Sequence, residues 1–397
     1  MIPRHKRLLQ KRLKPLYIAM FFQGFVLWYP VEKLFMTRIG FNDETVAIET
    51  MILTVVMIVV NIPVGVIADR WSRKGILITA SVALMACDLL GGLSHGFWIY
   101  VASAACWGIF SACNSGVYDS VVYDTLIEEV GTANRFAQYY GRLQFFDGIA
   151  LMLGSLLSGT VTYAFGLRSA YLLTIPLSFC SIIALAYFRE PKEHKQGEAP
   201  LVGAHLKIIF QSIARKGDVF WIVLTLILAT ANIRLMFEFD QLWLIALALP
   251  VLLYGPVNAL LLTSISSGGM IAGSLKQPYT IFAAGIILVM SSLCLLTRQR
   301  LLIIIAQTIL LTGYLAFQVV FGKYLHDTLP SKIRVGASSV VTTVGYVLFL
   351  PAAFVFGEIS KRLNIFHAAW VIIGIVIAMV ISANVAMLSR PQRAGNN

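Results

Sequence analysis

Long apolar runs alternate with brief polar punctuation along nearly the whole chain. A helix that crosses a bilayer needs about 20 mostly apolar residues. On that measure the pattern predicts twelve spans. In the first half they cover residues 16–35, 46–67, 75–93, 97–126, 136–165 and 171–188. In the second half they cover 219–247, 252–275, 279–296, 301–321, 335–356 and 368–388. Pro250 and Pro256 interrupt an almost continuous run and mark the turn between spans seven and eight.

One polar stretch stands out, residues 189–217. It divides the chain into an N-terminal six-helix bundle, 1–188, and a C-terminal six-helix bundle, 218–397. The halves echo each other. Asp124-Thr125-Leu126 ends span four and Asp327-Thr328-Leu329 ends span ten, an offset of 203 residues. Gly65 and Ala68 end span two, and Gly269 and Ala272 fall late in span eight, an offset of 204. Parallel repeats of this kind recur among transporters, with substrate held near the midplane. The fold class expected is therefore an all-α polytopic membrane protein of two pseudo-symmetric halves.

Composition agrees with this. Of 397 residues, 58% are hydrophobic and 13% charged, whereas a soluble domain carries about 25% charged residues. A net charge of +12 would suggest nucleic acid in a soluble protein. Here the distribution of the bases explains it without such a partner. With the N-terminus inside, the inner segments hold 22 Lys and Arg and the outer loops 7. The positive-inside rule then places both termini, and the 189–217 linker, in the cytoplasm of a cell-membrane protein. The basic N-terminus runs into a full-length apolar span and is read as a retained first helix. The five cysteines lie in apolar segments without a CxxC pair, so no disulfide framework is expected.

Spans two and three are joined by Gly65-Val66-Ile67-Ala68-Asp69-Arg70-Trp71-Ser72-Arg73-Lys74-Gly75. An ordinary positive-inside loop explains Arg70, Arg73 and Lys74 but not Asp69. In position and spacing the string resembles the signature loop of the major facilitator superfamily. A second stretch, Ser115-Gly116 followed by Asp119, Tyr123-Asp124 and Gly141-Arg142, is similar to a pattern in the bacterial drug and macrolide exporter branch of that superfamily. The resemblance implies a gating latch of Gly65, Asp69, Arg70, Arg73, Lys74 and Asp124. In it Asp69 caps or pairs with the start of span eleven and Arg73 pairs with Asp124. Two features depart from the family pattern. The second-half copy, Gly273-Ser274-Leu275-Lys276, lacks the Asp-Arg pair. Span five reads Gly154-Ser155-Leu156-Leu157-Ser158-Gly159, without the proline of many drug/proton antiporters.

Ionisable groups inside spans are costly unless paired or hydrated, and so mark candidate sites. The candidates for proton coupling are Asp147, Asp119, Arg142, Glu32 and Asp240. An Asp119–Arg142 ion pair is expected, with Asp147 as the carrier beside it. The alternative is that Asp147 only satisfies Arg142 or a neighbouring helix. Glu32 and Asp240 are read as reaching the outer interface, and Asp88 as structural. Candidates for the substrate cavity are Trp28, Tyr29, Trp107, Asn114, Tyr118, Arg234 and Glu238. Arg234 and Glu238 stand four apart on one helical face, where they can neutralise each other. The aromatics, Phe110 among them, suit either an aromatic cavity or plain packing. Trp98, Tyr100 and Trp370 read as interface anchors.

No HExxH string or Walker loop is present, and the six histidines are scattered. An enzyme is not expected, nor a cofactor or metal. The expected function is secondary active transport: proton-coupled efflux of a small amphipathic or lipophilic compound by a monomer that alternates its access. An uptake or lipid-translocating permease on the same fold is the alternative. A non-transporting receptor or assembly factor is a more distant one.

Overall fold

The computed structural model describes residues 3–70, 72–115, 117–132, 134–191, 217–275, 277–328 and 331–389. The side chains of Gly65, Asp69 and Arg70, three of the latch residues, and linker residues 192–216 lie outside the described residues.

Every regular element among the described residues is helical. The first half comprises α1 (Pro3–Gly24), a 3₁₀ turn (Tyr29–Val31), α2 (Glu32–Arg38), α3 (Asp43–Arg70), α4 (Arg73–Leu93), α5 (Phe97–Asn114), α6 (Val117–Val130), α7 (Phe136–Phe165) and α8 (Leu167–Ala186). The second half comprises α9 (Gly217–Ala246), α10 (Val251–Ile271), α11 (Pro278–Cys294), α12 (Arg300–Thr328), α13 (Ser331–Arg362) and α14 (Ile365–Leu388). Each expected span has its helix or helix pair in order. Among the described residues, nine helical segments are long and apolar enough to cross a membrane, and α11 is a shorter apolar helix.

Local chemistry sets several boundaries. Ser72 caps α4 by accepting the Gly75 N–H at 2.9 Å, and Asn364 caps α14 by accepting that of His367 at 3.1 Å. Gly166 turns α7 into α8 with φ +85°, where a side chain would be strained.

Two expected spans are not continuous. The first stops at Gly24 and resumes only through the Tyr29–Val31 turn, with Pro30 at its start. Here the Leu27 N–H finds the Thr174 hydroxyl at 3.3 Å instead of a helix carbonyl. The bare face of Gly154 packs on the Val26 backbone, where a Cβ would come within 3.0 Å of the carbonyl oxygen. Span four stops at Asn114 and resumes at Val117, with Ser115 extended at ψ 115°. Interrupted helices persist inside a membrane only where protein groups take up the freed backbone.

The chain groups into two units, each taken by itself. The first is Met1–Gln196 together with Pro250–Ala259, because the start of α10 packs closely on α7. Gly255 rests on the Ser155 carbonyl, Gly159 on the Leu252 backbone, and Ser155 donates to Asn258 at 3.0 Å. The second is Gly197–Leu249 with Leu260–Asn397. In lipid, burying leucine against leucine gains little over leaving it in hydrocarbon. Small residues and polar links therefore decide which helices meet. Gly91 and Gly92 of α4 lie under Tyr171 and Leu172, and Gly345 of α13 lies against Thr230 of α9. Large apolar side chains such as Leu156, Phe179, Ile287 and Ile381 remain on the outside, as a lipid-facing surface requires.

Candidate functional site

At the end of the first unit where α1 begins, Arg73 pairs with Asp124. This is the link the resemblance implies. Beside it the Arg12 guanidinium donates to Glu128 at 2.9 Å and Glu129 at 2.5 Å, and to the carbonyls of Arg189 and Glu190. Burial works against the Arg12 charge, but the two glutamates more than offset it and hold its pKa above the ordinary value. The Glu190 carboxylate accepts from the Ser72 hydroxyl at 2.6 Å and the Lys74 N–H at 3.1 Å, so it sits on the N-terminus of α4. The Lys74 ammonium donates to the Ala186 carbonyl at 2.7 Å. These contacts join four helix ends. Sequence reasoning finds Arg73, Lys74 and Asp124 but not Arg12 or Glu190, which it counts only as bases and linker.

At the opposite end stands a charged cluster that the apolar pattern conceals. Lys33, 1% exposed, lies 3.3 Å from Glu32 and 3.7 Å from Glu49, which is fully buried. The Tyr100 hydroxyl donates to Glu32 at 3.1 Å and meets that of Tyr171 at 2.8 Å. Glu32 is thus no interface residue, and Tyr100, buried at 2%, is no interface anchor. Trp98 and Trp370 are exposed, as anchors would be. Trp28 stacks on Tyr171 at 5.0 Å and meets Trp107 edge-on at 5.1 Å. Its indole N–H donates to Asp88 at 2.8 Å, and Ser178 donates to the other carboxylate oxygen at 2.5 Å. Asp88 therefore ties α4 and α8 to the broken first span, a structural part. Trp28, Glu32, Glu49, Tyr100, Trp107 and Tyr171 border a small cavity. Phe110 is packed into the core, and Tyr29 is half-buried beside Trp28.

Between these ends, the two helix interruptions come together. Gln23, next to last in α1, donates to Ser81 at 2.7 Å. Its amide oxygen accepts from Asn114, last in α5, at 3.3 Å and from Tyr118 at 2.9 Å. The Asp147 carboxylate lies against Gly24, so close that a Cβ there would come within 2.5 Å of Oδ1. Asp147 has no hydrogen bond or ion pair among the described residues.

The expected Asp119–Arg142 pair does not form. Arg142 is on the exposed face of α7 with its guanidinium over the Tyr139 ring at 5.5 Å, and Asp119 accepts the Ser120 N–H at 2.8 Å. Similar depth in two helices does not put two side chains on facing surfaces.

In the second unit Arg234 and Glu238 pair at 3.0 Å, as their spacing suggests, and the guanidinium lies over Tyr346 and Phe349. Asp240 is buried at 3% rather than at an interface, and accepts the Gln241 N–H at 2.7 Å. Gln307 donates to its carbonyl at 3.1 Å.

The string Gly92-Leu93-Ser94-His95-Gly96 has the letters of a serine nucleophile elbow. It forms the turn between α4 and α5 rather than a strand-to-helix elbow, and the Ser94 hydroxyl donates to the Gly91 carbonyl at 2.7 Å.

Among solved structures, a mutant of the nucleoside transporter NupG matches 96% of this chain and 100% of its own, with TM-score 0.76 and 12% identity. A bacterial homologue of the human lysosomal transporter Spinster, inward-facing and unoccupied, matches 98% and 97%, with TM-score 0.71 and 14% identity. At these identities the likeness is one of fold. A curated relative, the MFS-type transporter ppz2 of Metarhizium majus (strain ARSEF 297), is 28% identical over 129 residues. That match takes in 32% of this chain and 21% of the relative, so the chain spans about a fifth of the relative's length. The family and fold neighbours are transporters, not enzymes. The model of the Major Facilitator Superfamily matches residues 15–347, and the chain belongs to that superfamily.

Proposed function

We propose that this chain exports a small amphipathic or lipophilic compound across the cell membrane, as a monomer with both termini cytoplasmic, in exchange for protons. The observation that carries the reading is Asp147: a carboxylate without a hydrogen bond or ion pair among the described residues, beside two helices that stop inside the membrane. Broken helices are where transporters of this architectural kind bind their cargo. A carboxylate in such a place is a natural proton carrier. The exporter branch is suggested by the Ser115-to-Arg142 pattern, and the 22-to-7 bias of bases supports the orientation. Gly65, Asp69, Arg70, Arg73, Lys74 and Asp124 serve as the latch that biases two access states. An uptake or lipid-translocating permease is the alternative on the same fold.

The test is Asp147→Asn in proteoliposomes. Substrate exchange should survive while accumulation driven by a proton gradient fails. Accumulation that stays intact and keeps its pH dependence removes Asp147 from coupling, and Glu32 or Asp240 becomes the next carrier to test.

A further inference from the structure

We propose that the junction of α4 and α8, at the end of the first unit where α1 begins, binds the headgroup of an anionic phospholipid through Lys74 and Arg189. The site goes beyond the transport reading and needs only that the chain spans a membrane.

Most charges at this end are already spent on one another. Arg73 is paired with Asp124, and Arg12 with Glu128 and Glu129. The Glu190 carboxylate is taken up by the Ser72 hydroxyl and the Lys74 backbone N–H. Two bases keep donors in hand. The Lys74 ammonium carries three N–H bonds and directs one to the Ala186 carbonyl. The Arg189 guanidinium carries five. It is exposed, with no hydrogen bond or ion pair among the described residues. The Arg189 backbone is nonetheless held, because its carbonyl accepts from Arg12 at 3.3 Å. Lys74 thus grips the end of α8 three residues before Arg189, and the chain brings the two bases to one place. At the opposite end of the same helix pair the base is occupied. Arg168 donates to the Gly92 and Ser94 carbonyls at 3.4 and 2.9 Å.

A guanidinium fork beside an ammonium suits a phosphodiester, whose charge is shared by two oxygens. The neighbouring surface says what else the ligand carries. Tyr187 is 80% exposed, and Ile183 and Phe179 follow it at helical spacing along the outside of α8. Every exposed residue of α8 from Leu172 to Ala186 is apolar, and Val82 and Leu89 are exposed on α4, which packs against it. A wet cavity calls for polar groups, so this is a face for hydrocarbon. Tyr187 marks the headgroup level, where amphipathic rings settle. From Tyr187 to Phe179 the helix rises about 12 Å, most of the roughly 15 Å depth of one leaflet's hydrocarbon. A phosphate on the bases and chains along the stripe belong to one molecule, which makes the occupant a lipid and not a soluble anion.

The test is lipid retention by purified full-length protein in micelles, read as adducts in native mass spectrometry. Phosphatidylglycerol should bind in preference to phosphatidylcholine with the same chains. The double variant Lys74→Gln, Arg189→Gln should weaken phosphatidylglycerol at least about tenfold. The variant Lys11→Gln, Lys14→Gln removes as much charge from exposed positions on α1 at the same end and should leave binding within about twofold. Arg189→Gln alone alters one exposed side chain and should give an intermediate loss, which keeps the test decisive if the double variant folds poorly. Equal retention of the two lipids, or equal losses in the two double variants, overturns the proposal in favour of diffuse attraction by a basic surface. Displacement of the lipid by an equal concentration of glycerol phosphate overturns it in favour of a plain anion site. None of these readouts uses transport, so the exporter reading stands or falls separately.

Discussion

Asn114 hydrogen-bonds Gln23 at 3.3 Å, and each stands at the point where its helix stops inside the membrane. The contact joins two interruptions that lie far apart in sequence. It places amide groups, a phenol and a carboxylate at the level where the backbone is least regular. Cargo recognition and proton coupling are both proposed for this one place.

The Arg73–Asp124 pair is partly exposed to solvent, with each side chain 21% accessible. Solvent screening limits such a pair to at most about 1 kcal/mol of folding stability. Asp124→Asn should therefore shift Tm little while cutting transport severalfold. Restoration of transport by exchanging the two charges in a double mutant is the check. A large Tm loss, or unchanged transport, contradicts a gating role.

Lys33 should behave differently because it is buried between two acids. Lys33→Met leaves Glu32 and Glu49 without that ammonium, and breaking a buried pair this way costs about 3–5 kcal/mol. Expression and Tm in detergent should fall sharply. Replacing both Lys33 and Glu49 by methionine should recover much of the loss, which a thermal melt will show.

Asp88 accepts from both Trp28 and Ser178. Asp88→Leu orphans the Trp28 indole N–H, at about 1–3 kcal/mol, while Ser178 keeps the Thr174 carbonyl at 3.3 Å. Asp88→Asn keeps one acceptor oxygen and should fall between Asp88→Leu and the wild type. Equal melting of all three proteins would deny the aspartate its structural role.

Orientation can be checked without substrate. A single cysteine introduced at residues 192–216 of a cysteine-free protein should resist impermeant thiol reagents applied to intact cells. Ready labelling from outside would invert the proposed topology.

The spans were legible because lipid imposes one rule on long stretches of chain, and the apolar runs display it. The Arg234–Glu238 pair was legible because four residues make one helical turn. The Arg73–Asp124 pair was legible only by resemblance, since 51 residues separate its members. The interruptions were not legible. Span one breaks where Gly154 and Thr174, more than 120 residues away, receive its backbone, and local apolarity carries no trace of that. The burial of Lys33 was illegible for a related reason. A lysine near a span end looks like a loop residue until Glu49 and Tyr100 are known to surround it.

The perpendicular contact of Trp28 and Trp107 at 5.1 Å has an optical consequence. Two indoles so close and so inclined couple their electronic transitions, giving a paired band in near-ultraviolet circular dichroism. The other tryptophans among the described residues make no such pair. Trp28 also belongs to the broken stretch of span one, so any movement of that stretch changes the angle and separation of the two rings. The protein thus carries an unlabelled spectroscopic gauge a few residues from Gln23, readable in detergent or in lipid without an attached dye.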